Sequence, residues 1–245
     1  MITQQQIQKI KTPSGVMQTH VFRPEKVGAF PAVIFYSEIF QVTAPIIRSA
    51  NILAGLGFVV LIPEVFHELN PIGTALSYCD TGKDKGNKDK RTKALEQHDS
   101  DTQAMVAFIK DQAYCEGNIG TMGVCIGGHL AFRAALNPDI KAAFCLYATD
   151  IHSNTLPCID GNDSFSRAKD IDAQLMMVFG KQDPHIPAEG REKLYRHLQA
   201  LALNFQWCEV NAQHAFMRDE GERYDPALAI EMYLKAQGFF NEFLR

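Results

Sequence analysis

The feature that most restricts this chain is an alternation of short apolar runs with segments of helical spacing. Ala32-Val33-Ile34-Phe35-Tyr36 reads as a strand, Ile46 to Leu56 as a helix ended by Gly57, and Phe58 to Ile62 as a strand stopped by Pro63. Asp99 to Lys110 has helical spacing, Ile119 to Val124 reads as a strand, and Ile126 to Leu136 as a helix halted near Pro138. Ala142 to Tyr147 and Leu175 to Phe179 are further strands. A helix over Ala188 to Leu203, a strand over Phe205 to Val210 and a closing helix over Pro226 to Leu244 complete the pattern. Only the start differs: two extended runs around Pro13-Ser14-Gly15 predict a hairpin over Ile2 to Arg23. Strands alternating with helices predict an α/β fold, a central and mostly parallel sheet with helices on both faces. In such sheets the working groups lie on loops at the carboxyl ends of the strands.

No repeat or linker divides the 245 residues, so one domain over 1–245 is expected. With a formal net charge of -4 and a pI near 6.1, the chain has no global pull on nucleic acid or an anionic membrane. The longest apolar stretches, such as Ala54 to Pro63, are too short to span a bilayer. Met1 to Lys11 lacks the apolar run of a signal peptide, and a cytoplasmic location is expected. Six cysteines stand at 79, 115, 125, 145, 158 and 208, with no C-x-x-C pair and no histidines at zinc spacing. No metal and no cofactor is therefore expected, and most of the thiols read as buried apolar side chains.

Residues 70–98 interrupt the alternation. They carry Lys83, Lys85, Lys88, Lys90, Arg91 and Lys93 among Gly, Asn and Asp. This reads as a solvated surface excursion, or, if it borders an active face, as a lid.

The strongest local signal is Gly123-Val124-Cys125-Ile126-Gly127-Gly128, between a strand and a helix. It is the pattern glycine, any residue, nucleophile, any residue, glycine, with cysteine as nucleophile. A strand that turns this sharply into a helix needs small neighbours and leaves the nucleophile strained. The new helix N-terminus then favours a thiolate. The bland alternative is a glycine-rich turn around an inert cysteine. A phosphate-binding loop would need a following Gly-Lys-Ser/Thr, which is absent. A serine nucleophile would need Ser37 or another serine flanked by such glycines, and none is.

A nucleophile on such a turn needs an acid and then a histidine further along the chain. Leu175 to Phe179 is followed by Gly180-Lys181-Gln182-Asp183-Pro184, and Phe205 to Val210 by Asn211-Ala212-Gln213-His214-Ala215-Phe216. One loop Asp or His is usually solvated surface, but three ordered groups that each follow a strand are much harder to dismiss.

With these motifs the sequence resembles the dienelactone hydrolase family of α/β-hydrolases over nearly its whole length. The resemblance also rests on Pro31 to Ile39 with Ser37-Glu38, on Ile62-Pro63-Glu64-Val65-Phe66, on His214 to Arg218, and on Tyr224-Asp225. It implies hydrolysis of a small, carboxylate-bearing lactone or ester. Cys125 would attack the acyl carbon, His214 would shuttle the proton, and Asp183 would orient the imidazole. The N–H groups of Ile39 and Ile126 would form the oxyanion hole. Glu38 would lie close to Cys125 and hold it as a neutral thiol until substrate displaces it. Arg218 would grip the substrate carboxylate, with Arg91 the nearest candidate for a second such arginine. The competing reading on the same fold is a thiol redox or ligand-binding protein, which the lack of a resolving cysteine beside Cys125 weakens.

Overall fold

A computed structural model describes all residues, 1–245. Eight strands form one sheet: β1 (Thr3–Thr12), β2 (Gly15–Pro24), β3 (Phe30–Tyr36), β4 (Val59–Pro63), β5 (Cys115–Val124), β6 (Ile140–Leu146), β7 (Gln174–Gly180) and β8 (Phe205–Val210). Their spatial order is β1-β2-β4-β3-β5-β6-β7-β8. β1 and β2 form the expected hairpin, and β2 pairs antiparallel with β4. Every pairing from β4 to β8 is parallel.

The helices are α1 (Ala44–Gly55), α2 (Asp80–Lys90), α3 (Leu95–Lys110), α4 (Ile126–Ala134), α5 (Ser164–Arg167), α6 (Ala188–Ala200) and α7 (Pro226–Leu244). They cover both faces of the sheet. The position of Gly120 on β5 is closed by Phe240 and Leu244 of α7, whereas the next residue, Thr121, hydrogen-bonds Ala131 O of α4 at 3.0 Å. Successive strand residues point to opposite faces, so α7 and α4 lie on opposite sides. The inner strands are buried on both faces and read as continuous apolar runs, such as Val59 to Ile62.

The segment 70–98 differs from the expected excursion. Residues 80–90 form α2, and α3 begins at Leu95, four residues before the expected Asp99. Its cations are not all solvated. Lys93 is 2% exposed, with Nζ donating to Val65 O, Glu68 Oε2 and Asp101 Oδ2. Lys90 pairs with Asp150 at 2.9 Å and Lys85 with Asp89 at 2.5 Å. The thiols differ as well: only Cys145 is fully buried, and Cys79 is exposed.

The strand order reverses beside β3. The chain runs outward from β3 to β4, then crosses back to place β5 on the other side of β3. This switch point opens a crevice at the carboxyl ends of β3 and β5, the usual ligand position in such a sheet.

Candidate active site

Four of the sequence-derived site residues follow the carboxyl ends of parallel strands: Glu38 after β3, Cys125 after β5, Asp183 after β7 and His214 after β8. They therefore reach one edge of the sheet.

Cys125 sits at φ 61° and ψ −124°, between the last residue of β5 and the first of α4. No L-residue adopts this conformation without strain, and here the surroundings impose it. A Cβ at Gly123 would come within 1.8 Å of Gly127 O, and one at Gly127 within 2.1 Å of Tyr36 O. The turn closes only with glycine at both positions. Cys125 is anchored on both sides of its peptide: its N–H donates to Leu146 O at 3.2 Å, and its carbonyl accepts from Thr149 N at 3.3 Å. Ile126 opens α4, where the first amides have no intrahelical acceptor. The Ile39 N–H makes no hydrogen bond within the protein. The contact of Gly127 with the 36–37 backbone brings the start of α4 beside the loop that carries Ile39.

His214 Nδ1 donates to Asp183 Oδ2 at 2.6 Å, and Asp183 Oδ1 accepts from His185 N at 2.8 Å. Asp183 has no side-chain exposure and His214 has 7%. The His214 ring meets Tyr147 edge-on at 5.0 Å and His185 at 4.7 Å. Burial alone would lower the His214 pKa. The charge of Cys125, the hydrogen bond of Asp183 and a hydrogen bond with Cys125 outweigh it and push the group up to about 10. The arrangement favours an imidazolium, the partner a thiolate needs.

The resemblance implied a Glu38 close to Cys125; the partners its carboxylate has are Tyr78 and Arg218. Its Oε1 accepts from the Tyr78 hydroxyl at 2.8 Å, its Oε2 lies 3.6 Å from Arg218 NH1, and neither oxygen hydrogen-bonds the sulfur. Burial raises the Glu38 pKa above its ordinary range; Arg218, the Tyr78 hydroxyl and His214 each oppose that shift. The Arg218 guanidinium lies 4.3 Å from the Tyr78 ring centre and 5.9 Å from that of Phe40, and its Nε donates to Glu220 O. A small cleft has Glu38, Ser49 and Arg218 in its wall beside apolar side chains, among them Phe35, Ile46, Val124 and Met217. Arg91 makes no hydrogen bond or ion pair with any of these residues. It is exposed at the end of α2, with Nε turned back onto Asn87 O at 3.0 Å.

Three site neighbours carried no sequence signal of their own. Tyr78 comes from the irregular insert and bridges Glu38 to Thr43. Tyr147, at φ 37°, follows β6 and borders His214. His185 follows Asp183 by two residues, and the Gly180 to Pro184 motif could have pointed to it.

His67, Glu68 and Asp101 form a group of three metal-type donors away from Cys125. Lys93 Nζ lies 2.8 Å from Glu68 Oε2 and 2.5 Å from Asp101 Oδ2. An ammonium already takes the place a cation would have there.

A strained cysteine at a strand-to-helix elbow, with an Asp–His pair from two later strand ends, defines an α/β-hydrolase architecture. The comparisons carry this further. The model of the dienelactone hydrolase family matches residues 17–244. A Saccharomyces cerevisiae protein named "Putative carboxymethylenebutenolidase" is 36% identical over 241 residues, covering 93% of this chain and 88% of its own. The Pseudomonas putida protein named carboxymethylenebutenolidase is 25% identical over 203 residues, 82% of this chain and 80% of its own. A crystal structure from Klebsiella pneumoniae subsp. pneumoniae, described as a "Putative Dienelactone Hydrolase", superposes with a TM-score of 0.86 at 21% identity, over 99% of this chain and 100% of its own. The chain belongs to the dienelactone hydrolase family and is a hydrolase of the carboxylic-ester class. No helix is long and apolar enough to cross a membrane.

Proposed function

We propose that the protein hydrolyses small lactones or esters, carboxylate-bearing ones by preference, through Cys125, His214 and Asp183 and a covalent acyl-enzyme. The observation that carries this reading is the elbow geometry of Cys125 together with the 2.6 Å His214–Asp183 hydrogen bond. The Cys125 sulfur, as thiolate, attacks the acyl carbon and forms a C–S bond. Negative charge then develops on the carbonyl oxygen, where the free N–H groups of Ile39 and Ile126 receive it. The intermediate collapses with cleavage of the acyl C–O bond, and His214 gives its proton to the departing oxygen. Neutral His214 next takes a proton from water. The resulting hydroxide attacks the thioester, the C–S bond breaks, and the acid leaves with the thiolate and imidazolium restored. Asp183 holds the imidazole in one tautomer throughout and stabilises its charged form.

Arg218 and Glu38 supply the substrate preference in this reading. A substrate carboxylate that reaches Arg218 competes with Glu38 for the same guanidinium. The displaced glutamate is then free to turn toward Cys125. The continuous apolar core supports one domain over 1–245.

The experiment is hydrolysis of a chromogenic ester by wild-type protein and by Cys125→Ala. Activity that falls to background in the variant, with an acyl adduct on Cys125 trapped by mass spectrometry in the wild type, supports the reading. Activity that survives the substitution removes Cys125 from the chemistry.

A further inference from the structure

The segment from Ala75 to Lys90 lies across the loop 38–41, which carries Glu38 and the free Ile39 N–H. Three contacts fix it there. Gln41 and Ala75 pair as an isolated antiparallel bridge. The Leu76 N–H donates to Phe40 O at 3.0 Å. The third contact is the closest: at Gly86, on the inner face of α2, an added Cβ would stand 2.5 Å from Ile39 O and 2.9 Å from Ile39 Cβ. Helix backbone and oxyanion-loop backbone touch with no side chain between them.

When a Cβ is added at 86, either α2 or Ile39 has to move. The far end of α2 is held. Lys90 Nζ donates to both Asp150 carboxylate oxygens at 2.9 and 3.1 Å. Asp89 is buried and accepts from Lys85 and from Asn70 Nδ2. Asn70 in turn donates to Phe66 O. Ile39 itself is less restrained: it gives no amide hydrogen bond, and Gln41, two residues on, already has φ 66°. Ile39 is the part that yields.

We propose that Gly86 is a positioning residue: α2 acts as a back-stop that sets the Ile39 N–H in the oxyanion hole, and only glycine at 86 lets the helix come close enough. This rests on the acyl-transfer reading above. It assigns to the insert a role in transition-state geometry, beyond covering the site. Oxyanion stabilisation depends on donors placed for the charge that develops, and a displacement near 1 Å costs on the order of a hundredfold in rate.

The test compares Gly86→Ala with wild type in two reactions of the same sulfur. Ester hydrolysis needs the oxyanion hole. Alkylation of Cys125 by iodoacetamide is a displacement at carbon that needs the thiolate but no oxyanion donor. The proposal expects kcat for the ester to fall about ten- to a hundredfold, with KM and the alkylation rate each changed less than about threefold. Lys83→Ala, on the exposed face of α2, serves as the control and keeps wild-type kcat. Asn70→Ala loosens the anchor of α2 without adding an atom. It keeps the proposal testable if Gly86→Ala does not fold, with a smaller fall in kcat and unchanged alkylation expected. Wild-type kcat in Gly86→Ala, or in Asn70→Ala where only that variant folds, overturns the proposal, as does a parallel fall of hydrolysis and alkylation. A wild-type protein whose hydrolysis does not depend on Cys125 is a different failure, that of the acyl-enzyme reading itself.

Discussion

Cys125 and His214 each gain their properties from neighbours. The sulfur is aimed by backbone strain that Gly123 and Gly127 make affordable in space, and the imidazole is charged by what it touches. Removing the sulfur takes away two of the influences that raise His214 and leaves burial less opposed. In Cys125→Ala the His214 resonances in an NMR titration should therefore move from a midpoint near 10 to a clearly lower one. A midpoint that stays near 10 would assign the shift to Asp183 alone. Arg218 carries the second residue-scale expectation. A charge-assisted contact with a carboxylate is worth roughly 1.5–3 kcal/mol, or about ten- to a hundredfold in kcat/KM. Arg218→Ala should lose that factor on a carboxylate-bearing lactone and much less on a neutral ester of the same size. Equal losses would mean that Arg218 serves Glu38 and the stack on Tyr78. The proposed nucleophile, acid and histidine stand out as candidates in the sequence because each follows an apolar strand within four residues. The partner of Glu38 does not, because Tyr78 reaches it from 40 residues away out of a segment without periodicity.

Among the longer elements, α2 was the one the sequence concealed. Its sequence, DTGKDKGNKDK, has no apolar stripe, and its buried positions are Gly82, Gly86 and Asp89. A helix that buries glycine backbone and a neutralised carboxylate gives no hydrophobic period to read. The same ion pairs explain why α2 stays on the surface of the site with so little apolar area. Burial pushes the Asp150 pKa up, but Lys90, with Thr149 and Thr155, pulls it down to about 2. A carboxyl depressed in the folded state contributes stability above its unfolded pKa, and loses it as pH falls through the folded value. A shift of nearly two units corresponds to about 2 kcal/mol at neutral pH. Asp150→Asn should therefore lower the urea midpoint at pH 7. The difference from wild type should close progressively below about pH 4 and be gone near pH 2. Limited proteolysis should cut first within 70–98 in that variant. An unchanged midpoint at pH 7, or cleavage first elsewhere, would show that the pair does not anchor α2.

For the molecule as a whole, the alternation of strands and helices foretold a parallel sheet, but not the crossing that places β5 beside β3. Strand order comes from which faces pack together, and pairing choices among similar apolar strands leave no local mark in the sequence. The depth of burial they produce has a consequence for acid stability. His129 lies under the sheet loops, with Nδ1 2.9 Å from Thr149 O and Nε2 2.7 Å from Ser164 Oγ. Burial lowers its pKa to about 4, and His98, also buried, lies well below its ordinary value for the same first cause. Both groups stay neutral when folded and take up a proton on unfolding once the pH is below about 6.5. The unfolded state then binds more protons, so stability falls as pH falls. For His129 the loss runs from about pH 6.5 down to about 4 and totals roughly 3 kcal/mol, at 1.36 kcal/mol per unit. Urea unfolding at pH 7, 6, 5 and 4 should show this decline, and it should begin above the range in which Asp150 titrates. His129→Gln, whose amide keeps a donor and an acceptor, should start less stable at pH 7 and decline with a slope shallower by about one proton between pH 6 and 4. If the slope of the variant equals that of the wild type, His129 is charged in the folded state, and the acid sensitivity of the fold has its origin in other groups.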